Sequence, residues 1–345
     1  MNPIRCASAL VARVRYSALN PIVMQIRILS AADVQLAIDM PGAIEAMREA
    51  FTALADGSAV VPLRLPLETE HGVTLFMPAH LKTSGSTGAK VVSINPGNAA
   101  LGLPVVHAVV LALDPQTGCP LAVMDGTWLT ALRTGAVGGL AADLLAKKDA
   151  DTVALFGAGV QARTQLEAVR CVRPITRVRV VSPSGVSADK LVAELEGVSA
   201  HRVEDPDEAV AGADIIIAAT GSSTPVFDGS KVEPGAHVTG VGSFTPGMRE
   251  VDTTLVMRAR IIADQREAVL SEAGDIAGPI ADGSVTAAVI AAELGDVVLG
   301  RLKGRTSEDE ITFFKSVGNA VQDVSVAARV LAEAEARGLG VVAEL

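Results

Sequence analysis

The chain has 345 residues, enough for two domains with separate cores. A net charge of −10, with one Trp and one Tyr, argues against nucleic-acid binding, which needs a basic surface and stacking aromatics; acidity of this kind serves solubility. Hydrophobic residues make up 49% of the chain and are mainly Ala, Val and Leu, yet no apolar run reaches the ~18 residues that span a bilayer.

The first 23 residues carry Arg5, Arg13 and Arg15 and no acid. An organelle transit peptide has that composition, but Met24 reads better as the start of the native protein, which leaves 1–23 as an extension outside the fold. Met24–Leu29 is the first expected strand. Ser30 and Asp33 then form a capping-box pattern. A helix in two parts follows, the second over Pro41–Ala55 with Ile44, Met47, Phe51 and Leu54 at helical spacing. Four β-like runs come next, at Val60–Leu67, Val73–Pro78, Ala89–Ile94 and Val105–Leu113. Gly, Pro, Asn and Ser separate them, so they predict a mostly antiparallel sheet. After a turn at Asp114–Gly118, Pro120–Met124 is a further strand and Thr127–Leu145 a long helix rich in Ala and Gly.

From Asp151 strands and helices alternate. The strands are Thr152–Phe156, Val178–Val181, Val198–Val203, Asp214–Ala219, Ala236–Val241 and Arg260–Ala263. The helices between them are Gly157–Val172 (entered through a glycine turn), Ala188–Leu195 and Pro206–Ala211. This alternation predicts a parallel, doubly wound sheet covered on both faces. A last helix is expected over Val317–Arg337. Cys6, Cys119 and Cys171 are odd in number and widely spaced, as in a reducing cytoplasm, and the five histidines show no ligand spacing, so no metal site is expected.

Gly157-Ala158-Gly159-Val160-Gln161-Ala162 follows an apolar strand and opens a helix. In that setting a GxGxxA reads as a dinucleotide site: Gly157 for the tight turn, Gly159 for close approach of the pyrophosphate, and Ala162 for helix–strand packing. The second strand ends in Val181-Ser182-Pro183-Ser184 without the acid that usually binds the ribose diol of NAD. NADP(H) is therefore preferred, with NAD(H) possible because no Arg follows in this loop. Arg64, Lys90 and Arg133 each lie in or beside apolar stretches. They are either three unrelated surface cations with snorkelling stems or, if they converge, a carboxylate-binding site.

Arg64, Gly88-x-Lys90, Asn95-Pro96-Gly97-Asn98 and Asp114-Pro115-x-Thr117-Gly118-x-Pro120 follow one another in the chain. Then come Met124-Asp125-Gly126-x-x-Leu129-Thr130-Ala131-x-Arg133-Thr134, the GxGxxA, Val241-Gly242-Ser243 and Phe314-Lys315-Ser316-Val317-Gly318. This series resembles the ornithine cyclodeaminase/mu-crystallin family from about Met24 to the C-terminus. The resemblance implies a Rossmann domain over 136–315 and a smaller, discontinuous α+β domain over 24–135 and 316–345 that binds substrate and forms a homodimer. It implies nicotinamide-dependent hydride transfer at the Cα of a small amino or imino acid. It gives Arg64, Lys90 and Arg133 the substrate carboxylate, with Lys90 and Arg133 also the candidate catalytic groups. Arg133 and Thr134 would lie near the cofactor. Gly157, Ala158, Gly159, Val160 and Gln161 would hold the pyrophosphate, Ser182 and Ser184 the adenosine ribose, and Thr220, Val241, Gly242 and Ser316 the nicotinamide side.

Two departures decide the expected chemistry. The cyclodeaminase branch carries a catalytic Asp two residues before a Pro-Gly, where this chain has Phe244. It carries a second carboxylate three residues before the Pro of a His-Gly-x-x-x-x-Met-Pro strand, where this chain has Leu75, two before Met77. Deaminating ornithine requires a base and a home for a second ammonium, and a buried, unpaired ammonium costs several kcal/mol. Reducing a preformed cyclic imine requires neither, and Leu75, Met77 and Phe244 suit an apolar ring. The expected activity is therefore NAD(P)H-dependent reduction of a cyclic ketimine carboxylate, Δ1-pyrroline-2-carboxylate or Δ1-piperideine-2-carboxylate. Ornithine cyclodeamination, alanine dehydrogenation and non-catalytic binding of NADP and a small carboxylate are the alternatives.

Overall fold

A computed structural model describes residues 24–345, and the expectation for 1–23 lies outside the described residues. The described residues build two eight-stranded sheets. The first runs in the order Val341–Glu344, Gln25–Leu29, Pro120–Asp125, Val106–Leu113, Thr87–Ile94, Gly72–Leu81 and Ala59–Val60, with Leu65–Thr69 also on Gly72–Leu81. It is antiparallel except where Gln25–Leu29 lies parallel to Pro120–Asp125. Its strands alternate between faces, as in Gly88, Lys90 and Val92 turned inward. The inner face packs with helices Met40–Ala55 and Ala320–Arg337 around Met77, Ala79, Val92, Val321 and Val324. On the other face Ile28, Leu65, Phe76, Val109 and Leu121 are exposed.

The second sheet is parallel throughout, in the order Ser199–Arg202, Arg177–Val181, Thr152–Phe156, Ile215–Ala218, His237–Gly240, Thr312–Lys315, Arg260–Ala263 and Ile290–Glu293. Thr152–Phe156, Ile215–Ala218 and His237–Gly240 are buried along their whole length, which is the pattern of strands covered on both faces. Strand order reverses beside Thr152–Phe156, and in doubly wound sheets the ligand crevice lies at such a switch point, here beside the close approach of Gly157 to Ala219.

Helix Gly126–Leu145 joins the two halves. Asp125 caps it, accepting from the Trp128 N–H at 2.7 Å. It crosses helix Val160–Val172 so closely that a Cβ on Gly135 would lie 2.5 Å from the Thr164 carbonyl oxygen. At the crossing Gln165 Nε2 donates to the Thr134 carbonyl at 2.6 Å.

The expected elements hold with three corrections. Val60–Leu67 is not one strand, because the chain leaves the sheet between Val60 and Leu65, around Pro62, which has no N–H to donate. Strands Ile290–Glu293, Thr312–Lys315 and Val341–Glu344, each only four residues long, were not anticipated, nor were the short helices Thr253–Arg258, Arg266–Glu272, Gly274–Ala281 and Leu294–Val298. The last long helix begins at Ala320 rather than Val317, because Gly318 adopts φ +77°, outside the right-handed helical region, in a turn whose N–H groups are held by the Asp264 carboxylate. Among the described residues no helix is long and apolar enough to cross a membrane, and no cluster of His, Cys, Asp or Glu is arranged to hold a metal ion.

Candidate active site

Gly157 adopts φ +109°, a conformation that suits glycine, and a Cβ there would lie 2.5 Å from the Ala219 carbonyl oxygen. Gly159 is the N-cap of helix Val160–Val172 and offers no side-chain partner to the first-turn N–H groups. Nothing lies within 4 Å of a Cβ built on Gly159, so the helix end faces open space. Ala162 is fully buried, and the buried Gln161 Oε1 has no partner. Free N–H groups, a positive helix end and room above glycine fit a dinucleotide pyrophosphate. Ala158 is half-buried and Val160 exposed at the same turn.

Ser182 is half-buried just after strand Arg177–Val181. Ser184 is already engaged, since its hydroxyl caps helix Gly185–Glu194 by accepting the Ser187 N–H at 3.3 Å. The loop itself contains no Arg. The structure brings Arg202 to it from the neighbouring strand, close enough that a Cβ on Gly185 would collide with the guanidinium. Arg202 also pairs with Glu204 at 2.7 Å and Asp189 at 3.7 Å.

Buried carboxylates that were not anticipated hold the residues expected on the nicotinamide side. Glu250 accepts both the N–H and the hydroxyl of Thr220 on one oxygen, at 2.5 and 2.9 Å. Its other oxygen accepts the N–H groups of Gly242 and Ser243, at 2.6 and 3.2 Å. The Val241 N–H donates to the Ala218 carbonyl at 3.0 Å. Asp264 Oδ2 accepts the Ser316 hydroxyl at 2.7 Å and the N–H groups of Val317 and Gly318. Asp275 takes the N–H groups of Glu250 and Val251 and forms a fully buried ion pair with Lys315 at 2.9 Å. Burial pushes the carboxyls of Glu250 and Asp264 up.

Across the crevice Lys90 and Arg133 meet one carboxylate, Asp323 on helix Ala320–Arg337. Lys90 Nζ and Arg133 Nε stand 2.8 and 3.0 Å from the same Oδ1, and Arg133 Nη1 donates to Gln322 at 2.7 Å. Lys90 is 1% exposed and Arg133 6%, so neither is a surface cation. Arg64 is also mostly buried and within electrostatic reach of Arg133 and Asp323. Its Nε donates to Glu272 at 2.9 Å and its Nη1 reaches the Val317 carbonyl at 3.5 Å. Thr134, next to Arg133, turns its hydroxyl to the Thr130 carbonyl. Met77 stands opposite Lys90 in the sheet, and Leu75, two residues earlier, shares that face. Phe244 is half-buried against the core of the parallel sheet.

Burial and the neighbouring Arg133 push the Lys90 ammonium down to about 8, against the opposing pull of Asp323. Cations crowded beside their own counter-ion can take up a further anion, with guanidinium forks suited to a planar carboxylate.

Comparison with known proteins gives a consistent picture. The model of the ornithine cyclodeaminase/mu-crystallin family matches residues 24–338. An alanine dehydrogenase of Archaeoglobus fulgidus is 38% identical over 317 residues, covering 92% of this chain and 98% of the relative. A Δ(1)-pyrroline-2-carboxylate reductase of Bacillus cereus is 38% identical over 305 residues, covering 86% of this chain and 94% of the relative. The solved Δ(1)-pyrroline-2-carboxylate reductase of Thermococcus litoralis, in complex with NADH and L-proline, superposes with a TM-score of 0.89 at 41% identity, covering 92% of this chain and 99% of that one.

If the cluster takes up a further anion, the Lys90 ammonium should make that binding depend on pH. It is charged below about 8 and loses its proton above it, so affinity for a small carboxylate should fall as pH rises through 8. Titration calorimetry with pyrrole-2-carboxylate, whose own charge is constant over this range, should show the inflection. Lys90→Met should bind more weakly and without it. An inflection that survives in Lys90→Met would assign the titration to another group.

Proposed function

The chain belongs to the ornithine cyclodeaminase/mu-crystallin family, and on that premise we propose that it reduces a cyclic ketimine carboxylate, Δ1-pyrroline-2-carboxylate or its six-membered analogue, to L-proline or L-pipecolate. It is an NAD(P)-dependent oxidoreductase acting on C=N bonds. The observation that carries the finer reading is the cluster of Arg64, Lys90 and Arg133 beside a dinucleotide cradle. Lys90 and Arg133 share a single carboxylate, Asp323, while Arg64 lies beside them, paired with Glu272 and within electrostatic reach of Asp264.

Arg64, Lys90 and Arg133 hold the substrate carboxylate and so fix its Cα. Leu75, Met77 and Phe244 offer the ring apolar surface. The bound cofactor supplies hydride from nicotinamide C4. An iminium substrate arrives with its own proton. If the neutral imine binds, Lys90, with its ammonium near 8, or a water delivers the proton to nitrogen. Positioning and electrostatics therefore carry catalysis, with no covalent nucleophile.

Ornithine cyclodeamination is disfavoured because Leu75 and Phe244 stand where that branch has acids. An alanine dehydrogenase activity is the second reading, supported by the Archaeoglobus relative. The domain boundaries proposed are 24–135 with 316–345 for substrate and 136–315 for cofactor. The exposed apolar face of the first sheet is the proposed homodimer surface, since a sheet face left to water is usually polar. A solved archaeal alanine dehydrogenase with the same fold is described as a dimer with bound NAD. A cytoplasmic location is proposed from the cysteine pattern.

The activity is tested by supplying each cyclic imine, pyruvate with ammonia, and ornithine to the purified enzyme with either cofactor. Proline or pipecolate should form from the imines, and ornithine should release little ammonia. Efficient ammonia release without imine reduction would overturn the reading.

NADP(H) is the proposed preferred cofactor, because Ser182 replaces the usual acid and Arg202 stands at the same loop to meet a 2′-phosphate. NADPH should give the higher kcat/KM, and both Ser182→Asp and Arg202→Ala should narrow its advantage over NADH. A preference for NADH in the unmodified enzyme would refute this assignment.

A further inference from the structure

The cationic site contains an acid whose role the reading above leaves open. Glu272 ends helix Arg266–Glu272 in the lobe of the parallel sheet, whereas Arg64 directly precedes strand Leu65–Thr69 in the other lobe. The two meet across the crevice. Arg64 Nε donates to Glu272 Oε1 at 2.9 Å, and Nη2 pairs with Oε2. Glu272 thus occupies the fork of the guanidinium, the edge best suited to a ligand carboxylate.

The other buried acids nearby hold protein groups: Asp264 the Ser316–Gly318 turn, Glu250 the Thr220 and Gly242 loops, Asp275 the Lys315 ammonium, and Asp323 both Lys90 and Arg133 through Oδ1, its buried Oδ2 making no hydrogen bond. Glu272 differs in two respects. Its side chain is 24% exposed, and its partner Arg64, 17% exposed, is itself a proposed substrate-binding cation. A ligand that draws Arg64 to its own carboxylate weakens the hold on Glu272, and a carboxylate left without a partner there is costly. A plain carboxylate cannot make good that loss. A zwitterion can, because its charged N–H group sits on the carbon that bears its carboxylate.

We propose that Glu272 accepts the N–H of the substrate iminium and of the secondary ammonium product, so that the site selects zwitterions over simple carboxylates. This rests on the imino-acid reading and supplies what it lacks, since Leu75 and Phe244 give a cationic product no counter-charge. Glu272 would be a specificity-determining binding residue contributed by the cofactor lobe.

The test is calorimetric binding of L-proline and of cyclopentanecarboxylate, which has the same ring and carboxylate without nitrogen, to the enzyme saturated with oxidised cofactor. The unmodified enzyme should prefer proline. Glu272→Gln should weaken proline about tenfold or more while leaving cyclopentanecarboxylate unchanged or tighter, because the internal competitor for Arg64 has lost its charge. Glu272→Ala serves the same comparison if the Gln variant does not fold. Equal losses for both ligands, which a purely structural bridge would give, would overturn the proposal, as would unchanged proline binding. If neither ligand binds the unmodified enzyme, the imino-acid reading itself fails, and this inference with it.

Discussion

Asp323 sets the terms for the site. Lys90 comes from a sheet strand and Arg133 from the helix that joins the lobes, and both are almost completely withdrawn from water. Two buried cations side by side repel each other and each loses hydration worth several kcal/mol, so neither position is tenable without an anion. Asp323 supplies it, from a helix more than 180 residues further along the chain than either cation. The last helix must therefore return to the first sheet, which is why that lobe is built from both ends of the chain. The edge pairing of Gln25–Leu29 with Val341–Glu344 completes the closure. Asp323 alone cannot neutralise both Lys90 and Arg133, which is the physical basis of the affinity for a further carboxylate proposed above.

A second set of buried charges fixes the opposite wall. Glu250 ties the Thr220 loop to the Gly242 turn, Asp275 ties Glu250 to Lys315, and Asp264 holds the Ser316–Gly318 turn. Each carboxylate receives backbone N–H groups from loops at the carboxyl ends of parallel strands, where a doubly wound sheet binds its ligand. Such charges are justified less by net stability than by the single geometry that they impose. The helix crossing at Gly135 serves the same end. It seats Arg133 and Thr134 against the glycine-turn helix, with Gln165 bonded to the Thr134 carbonyl, so the cationic cluster and the proposed pyrophosphate cradle share one close-packed joint.

Much of this architecture was legible in the sequence because it is encoded locally. The capping box at Ser30 and Asp33, the glycine turn after Thr152–Phe156 and the alternating strands around Lys90 are short-range patterns, and each lies where expected. The pairings that give the site its chemistry are long-range. The criterion that singled out Lys90 and Arg133, a charge inside an apolar stretch, applies equally to Asp323 between Val321 and Val324 and to Asp264 after Ile261-Ile262-Ala263. Glu272 and Arg202 carry no comparable signal, because each lies in an ordinary polar setting and gains its place only from an element of another part of the fold. The start of the last helix was misjudged for a related reason. Val317 and Gly318 suit the run of residues around them, but Gly318 takes a left-handed backbone, φ +77°, in the turn that Asp264 holds.

The central claim is that a carboxylate anchored by Arg64, Lys90 and Arg133 presents its Cα to hydride from the reduced cofactor. It is tested most directly by following the hydrogen. With cofactor carrying deuterium at both nicotinamide C4 positions, reduction of the cyclic imine should place one deuterium at Cα of the amino-acid product, read by mass spectrometry. Product that forms without the label, its Cα hydrogen drawn instead from substrate or solvent, would contradict the account.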